Sequence, residues 1–259
     1  MNKSHRGAAL TAAVLVFSAQ ATFAQVTEDG MGKIVPVEMF VCNFVEGKGQ
    51  ADLDVVVKQW SDFMDDKKIR NYAAWQLTPY YYGGEQDFDM IWMGASSDGN
   101  AMGNATHEYV MNGGEIAAGF EEVIQCRAHV GLSSAMYQAP PDNSTPSSSV
   151  MTMSDCKMEK GTRYSDVRAA EVEWAAYRKD NGSKAGMWHW YPSFGGGDQD
   201  LDYKIVYAYP SFKELGSDWE LIANGGGRVK SDDIFGDLDE CDDARVYVAR
   251  SIREAQLRK

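Results

Sequence analysis

A small group of titratable side chains is concentrated in the second half of this sequence. His189 and Tyr191 alternate on one predicted strand, and Lys204 lies on the next. Because alternate residues of a strand share a face, His189 and Tyr191 point the same way, as a base and a proton donor would. A histidine on a strand is more often held by a structural hydrogen bond. We nevertheless take His189 as the best catalytic candidate and predict proton chemistry or an anionic ligand group in this half.

Two related segments carry the other candidate ligand-binding residues. Residues 83–89 (GGEQDFD) recur as residues 196–202 (GGDQDLD), and a glycine turn followed by a strand explains both without any ligand. The alternating acids do not fit a calcium loop, which needs glycine and glutamate where this chain has Tyr203 and Tyr209. We therefore predict no metal site. The ligand-binding candidates are His189, Tyr191, Lys204, Gln76 at the place of His189 in the first half, and, at the turns, Gln86, Asp87, Gln199 and Asp200.

These segments belong to an internal repeat that spans most of the chain. Cys42 and Trp60 recur, with the same spacing, as Cys156 and Trp174, and further matches follow in the same order. Residues 138–149 between the two halves are rich in proline and serine, which indicates a linker. The predicted domains are therefore residues 33–137 and 150–253.

The composition limits the partners and the compartment. The 259 residues are 44% hydrophobic and carry a net charge of −13, so the chain is folded and repels nucleic acid and anionic membranes. Residues 1–24 have a cationic start, a short apolar run and small residues before Gln25, as in a secretory signal peptide cleaved after Ala24. We predict an exported protein, periplasmic or secreted, with no transmembrane span.

The hydrophobic periodicity gives each half the element order βαββαβ. This order resembles the ferredoxin-like unit, and two fused copies resemble the dimeric α+β-barrel superfamily. The resemblance rests on element order and duplication, and it implies a pseudo-dimeric α+β barrel. Members of the superfamily include cofactor-independent monooxygenases, haem enzymes of the chlorite-dismutase type and proteins that only bind small molecules. The fold does not choose among them.

The four cysteines, two in each repeat, indicate two disulfides in an exported chain. Three pairings are possible from the sequence. In the resembled fold, the first and last strands of each unit are antiparallel neighbours, which implies the pairs Cys42–Cys126 and Cys156–Cys241.

From this resemblance we expect an exported binding or accessory protein that holds a small molecule in a barrel pocket. The alternative is an enzyme of the cofactor-independent monooxygenase or haem type, in which His189 could also be a haem ligand. We predict no cofactor, with haem as the one that the resemblance leaves open. The protein would be a monomer or a homodimer.

Overall fold

The computed structural model describes residues 32–84, 86–140, 148–197 and 200–255, which contain the predicted element order twice. The first repeat consists of β1 (Val35–Phe44), α1 (Gln50–Asp66), β2 (Tyr72–Tyr81), β3 (Met90–Ser96), α2 (Gly99–Asn112), α3 (Gly114–Glu121) and β4 (Ile124–Gln138). The second repeat consists of β5 (Ser148–Met158), α4 (Tyr164–Asp180), β6 (Gly186–Phe194), β7 (Tyr203–Tyr209), α5 (Phe212–Ala223), α6 (Gly227–Phe235), β8 (Asp239–Cys241) and β9 (Arg245–Arg253).

Eight of these strands form one closed antiparallel barrel. Neighbouring strands follow the order β7-β6-β4-β1-β3-β2-β9-β5, and β5 pairs back with β7. The β2–β9 and β4–β6 pairs join the two repeats, while the short β8 only extends from β5. Closure leaves the barrel strands without free edges. The predicted pseudo-dimeric α+β barrel is confirmed.

The interior of the barrel is filled with apolar side chains, because alternate residues of all eight strands point inward. The buried residues of this cluster are Val37, Met39, Leu77, Ile91, Met93, Leu132, Met151, Met153, Trp190, Val206, Tyr247 and Ala249. The ligand pocket predicted inside the barrel stays a prediction. The cavity described below lies on the outer face of the sheet, where the helices pack.

Helices α1 to α3 cover the outer face of the first repeat, and α4 to α6 cover that of the second. Helix α1 shows why, since its buried residues recur at helical spacing and form one apolar stripe: Leu53, Val56, Trp60 and Met64. Asp52 fixes its start by accepting a hydrogen bond from the Gly49 backbone N–H at 3.0 Å. The sequence pattern does not predict α6 or β8, because residues 227–241 contain few and irregularly spaced apolar residues.

One disulfide in each repeat links its first strand to a strand near its end. Cys42 on β1 is bonded to Cys126 on β4, and Cys156 on β5 to Cys241 on β8. The paired residues lie opposite one another in antiparallel strand pairs. The predicted pairing is confirmed.

The predicted signal peptide, residues 1–24, lies outside the described residues, as do residues 141–147 of the predicted linker. No helix in the described part of the chain is long and apolar enough to cross a membrane.

Candidate functional site

The structure places His189 and Gln76 on the outer face of the barrel, beneath the helices. Their neighbours Trp188 and Trp75 pack against the barrel interior. The sequence predicts that these residues alternate, and the structure shows which face each occupies.

His189 lies at the centre of a buried polar network in the second repeat. Its Nε2 is 2.7 Å from Glu171 Oε1 on α4, and its Nδ1 is 3.4 Å from the Tyr191 hydroxyl. Tyr203 stacks on the imidazole with ring centroids 4.5 Å apart. Tyr191 also contacts the Tyr137 hydroxyl at 3.4 Å. The structure therefore brings His189 and Tyr191 together, but both are committed to partners between helix and sheet.

A second ionic group fills the rest of this helix–sheet space. The Arg178 guanidinium pairs with the Asp218 carboxylate and lies 3.9 Å above the Tyr207 ring. The Tyr209 hydroxyl donates to Asp218 at 2.8 Å. Arg178 and Asp218 are each 1% exposed, so the pair is desolvated, and Arg178 Nε and Asp218 Oδ1 have no hydrogen-bond partner in the described structure. The outer face of the second repeat is packed.

Gln76 belongs to a structural network of the first repeat. Its side-chain amide exchanges two hydrogen bonds with Gln50, at 2.6 and 3.0 Å, and its Oε1 accepts from Arg250 at 2.9 Å. Arg250 also binds Asp54 at 2.6 Å. These bonds anchor the start of α1 to strands β2 and β9.

The remaining sequence candidates lie apart from one another. Lys204 forms an ion pair with Asp155, which Arg245 also contacts at 3.2 Å. The Gln86 amide donates to the Tyr247 hydroxyl at 3.5 Å. Asp87 is exposed, exposed Asp200 pairs with Lys157, and Gln199 lies outside the described residues.

The first repeat contains a large cavity at the position that is packed in the second. It lies between the outer face of the sheet and helices α1 to α3, and its volume is about 920 Å³. Most of its wall is aromatic or aliphatic. The lining residues are Glu38, Phe40, Val45, Trp60, Met64, Tyr72, Trp92, Ala105, Thr106, Tyr109, Val110, Ala117, Phe120, Glu121, Ile124, Gln125, Cys126 and His129.

One polar chain crosses the wall of this cavity. Tyr72 donates a hydrogen bond to Glu38 Oε1 at 2.6 Å, and the Trp92 indole N–H donates to the Tyr72 hydroxyl at 3.4 Å. The other oxygen of Glu38 lies 2.9 Å from His129 Nε2. His129 stacks on Phe40 with ring centroids 3.6 Å apart, which fixes its ring plane. Glu38 and His129 therefore form a carboxylate–imidazole pair at the cavity.

The tyrosines of the cavity are held in their neutral form. Burial, with the Glu38 carboxylate next, raises the pKa of Tyr72 well above its usual value. Burial also raises the pKa of Tyr109, to which Glu121 and Glu38 add. Both phenols therefore remain hydrogen-bond donors at neutral pH.

Gly94 on β3 permits this arrangement. It lies between Glu38 on β1 and Ala74 on β2 in the sheet register. A Cβ atom at Gly94 would lie 1.9 Å from the Tyr72 hydroxyl oxygen and 3.1 Å from Glu38 Cγ. Only a residue without a side chain lets Tyr72 reach across β3 to Glu38.

The lysine, arginine, aspartate and glutamate side chains that line the cavity differ in number, and only acidic ones are present among the described residues. Glu38 and Glu121 contribute carboxylates, and none of the lining residues in the described part of the chain is a lysine or arginine. His129 is the one imidazole among them.

Sequence reasoning did not select Glu38 and His129, although a signal existed. The implied Cys42–Cys126 disulfide pairs β1 with β4 and so places His129 near Glu38; in the structure, after a register shift next to Cys42, His129 lies opposite Phe40, two residues from Glu38. Because only the first repeat has a histidine there, with Ala244 at the matching place in the second, the signal points to the first repeat.

No family model matches the chain, and no curated protein matches it by sequence. Solved structures match it in fold. A candidate chlorite dismutase gives a TM-score of 0.53 at 12% identity, over 86% of this chain and 97% of that one. A candidate monooxygenase from Lactobacillus acidophilus gives 0.54 at 7% identity, over 86% and 96%. A chlorite dismutase variant from Candidatus Nitrospira defluvii gives 0.50 at 7% identity, over 87% and 94%.

These likenesses define the class of protein by its fold, that of the dimeric α+β barrels to which chlorite dismutase-like proteins belong. Identities this low show the fold alone. The site must be argued from the residues of this chain.

Proposed function

We propose that this protein binds a small, largely apolar aromatic molecule in the cavity of the first repeat, with the Glu38–His129 pair contacting a polar group of that molecule. The single observation that carries the proposal is the largely aromatic cavity with this pair in its wall. Its volume of about 920 Å³ is near the upper end of the range of small-molecule sites.

Two features support a ligand site over a packing defect. The apolar wall of the cavity is partly open to solvent, so a ligand that covers it removes apolar surface from water and is stabilised. Its wall also combines broad apolar surfaces with a few convergent polar groups, which is the usual composition of a small-molecule site. In the second repeat the buried Arg178–Asp218 pair lies in the matching space, where Arg178 takes the position of Met64. This difference favours the first repeat, whereas the sequence predicts an active second half.

A catalytic version of this function is a cofactor-independent oxygenation. The Glu38–His129 pair would accept a proton from an activated CH2 group of an aromatic substrate, and O2 would then oxidise the resulting carbanion. Two C–H bonds break and one C=O bond forms, while the second oxygen atom leaves as water. The carboxylate-oriented imidazole at the edge of the apolar cavity favours this candidate, since such a pair is a suitable general base.

Haem does not fit the lining as well. His129 would have to hold the iron, since it is the only imidazole among the described lining residues, and its Nε2 is occupied by Glu38. The two propionates of haem need cations or solvent, and the described lining provides two carboxylates with no lysine or arginine. We derive no step through haem.

Export from the cytoplasm is part of the proposal. Two disulfides with no free cysteine in the described residues suit an oxidising compartment, and the sequence of residues 1–24 suits a signal peptide.

The test combines native mass spectrometry of the purified protein with a titration of naphthalen-1-ylmethanol followed by tryptophan fluorescence. Ala117→Trp fills the cavity from α3, and we expect it to weaken binding of this probe by about 10-fold or more. Ala118→Trp, at the exposed neighbouring position, is the matched control and should leave binding unchanged. Equal binding by both variants would contradict the cavity as the site. A Soret band that appears on adding haemin and is lost in His129→Ala would instead support a haem protein.

A further inference from the structure

We propose that the cavity of the first repeat selects an organic cation, a protonated amine or quaternary ammonium carried on an aromatic body. This inference rests on the proposed function and names the ligand class of the same site.

The cavity wall carries negative charge. Glu38 is a side chain only 24% exposed, and Glu121 lies at the rim of the cavity. The described lining residues include no lysine or arginine to balance them. In a partly desolvated site these charges attract a cation, repel an anion and give a neutral ligand no comparable gain.

Glu38 has hydrogen-bonding capacity that its two partners do not use. One of its oxygens accepts from Tyr72 and the other contacts His129. A carboxylate has about four acceptor positions, so each oxygen keeps capacity for a further donor. An ammonium N–H is the donor that gains most from a carboxylate, because such a bond is charge-assisted.

Aromatic side chains form much of the cavity wall. Trp60 contacts Trp92 edge to face at 4.9 Å, and Trp92 contacts Phe120 in the same manner at 5.7 Å. Tyr72 and Tyr109 complete this wall. Aromatic faces, and tryptophan above all, attract organic cations through their quadrupole, which is how aromatic cages recognise ammonium groups. Carboxylates and aromatic rings thus favour the same ligand charge.

The experiment uses three probes of nearly equal shape: naphthalen-1-ylmethylamine, naphthalen-1-ylmethanol and naphthalene-1-carboxylate. For the full chain we expect the amine to bind about 10-fold or more tightly than the alcohol, and the carboxylate to bind most weakly. Glu38→Gln should weaken binding of the amine far more than binding of the alcohol, and so bring the two affinities within about 3-fold of each other. Glu122→Gln, an exposed residue outside the cavity lining, is the matched control and should keep the preference.

The outcomes separate the two proposals. Equal affinities for amine and alcohol, or tightest binding of the carboxylate, would overturn the cation preference while leaving the cavity as a binding site. Absence of binding by all three probes would overturn both. If Glu38→Gln does not fold, Glu121→Gln tests the same point by a partial loss of the amine preference, and an unchanged preference in that variant would count against the inference.

Discussion

His189 Nε2 lies 2.7 Å from Glu171 Oε1, and neither side chain is exposed to solvent. The second oxygen of Glu171 has no hydrogen-bond partner in the described structure. The pair joins α4 to β6. A carboxylate buried in this way depends on its imidazole partner, which makes the pair a structural element of the second repeat.

The first prediction concerns this pair. His189→Leu should lower the free energy of unfolding by about 3–5 kcal/mol, because it leaves the Glu171 carboxylate buried without its partner. The double variant Glu171→Leu/His189→Leu should lose much less than the sum of the two single variants. Urea unfolding of the four proteins gives the coupling energy. Additive losses would show that the two residues act independently. The control is Glu173→Leu, at an exposed position on the same helix.

The second prediction concerns Gly94. Gly94→Ala should displace Tyr72 from Glu38, because the added Cβ would occupy the position of the Tyr72 hydroxyl. We expect a loss of about 1–3 kcal/mol in the free energy of unfolding, together with weaker binding of the naphthalene probes. Gly103→Ala is the control, since a Cβ there meets no atom within 4 Å and alanine favours a helix. A stable Gly94→Ala protein with unchanged probe binding would show that the Tyr72–Glu38 bond does not shape the site.

The third prediction concerns the disulfides. The serine double variant of Cys156 and Cys241 should lower the free energy of unfolding by about 2–5 kcal/mol, since the bond restricts a long loop in the unfolded chain. The corresponding variant of Cys42 and Cys126 should have a similar effect, because the two bonds span separations of 84 and 85 residues. Guanidinium unfolding under non-reducing conditions measures both. A loss in one repeat alone would show that the two bonds contribute unequally to the native state.

The fourth prediction concerns the ion cluster around Asp155. Partial burial would raise the pKa of Asp155, but Lys204 and Arg245 outweigh it and hold the pKa below its usual value. A carboxyl whose pKa is depressed on folding contributes stability above its unfolded pKa, near 4, and loses it as the pH falls through the folded pKa. The wild-type protein should therefore be more stable than Asp155→Asn at about pH 7.

The difference between these two proteins should shrink as the pH falls below about 4, because Asp155 then becomes neutral like asparagine. Thermal unfolding over this pH range measures it. A difference that stays constant with pH would mean that the charge of Asp155 is not what stabilises the cluster.

The architecture could be read from the sequence because duplication repeats its landmarks. Cys42 and Trp60 return as Cys156 and Trp174, and the alternation of Trp75 with Gln76 fixes opposite faces. Periodicity does not tell which face of a sheet points inward. The structure shows it, because buried apolar side chains from all eight barrel strands form one interior cluster.

The candidate site could not be predicted from the sequence, because it depends on the volume that the side chains leave unfilled. Met64 on α1 and Arg178 on α4 occupy matching positions of the repeat, yet Met64 lines the cavity and Arg178 fills the corresponding space with an ion pair. A single sequence shows that the two repeats carry different residues at these positions. It does not show the volume that those residues leave unfilled. Glu38 and His129 acquire a role only through that space.

The two repeats are joined by the strand pairs β2–β9 and β4–β6. This arrangement has a consequence at low protein concentration. Two separate halves would meet according to mass action and would part on dilution. Here both halves belong to one polypeptide, so each sees the other at a local concentration on the order of millimolar, whatever the amount of protein in solution. The assembled barrel is therefore independent of how far the protein is diluted.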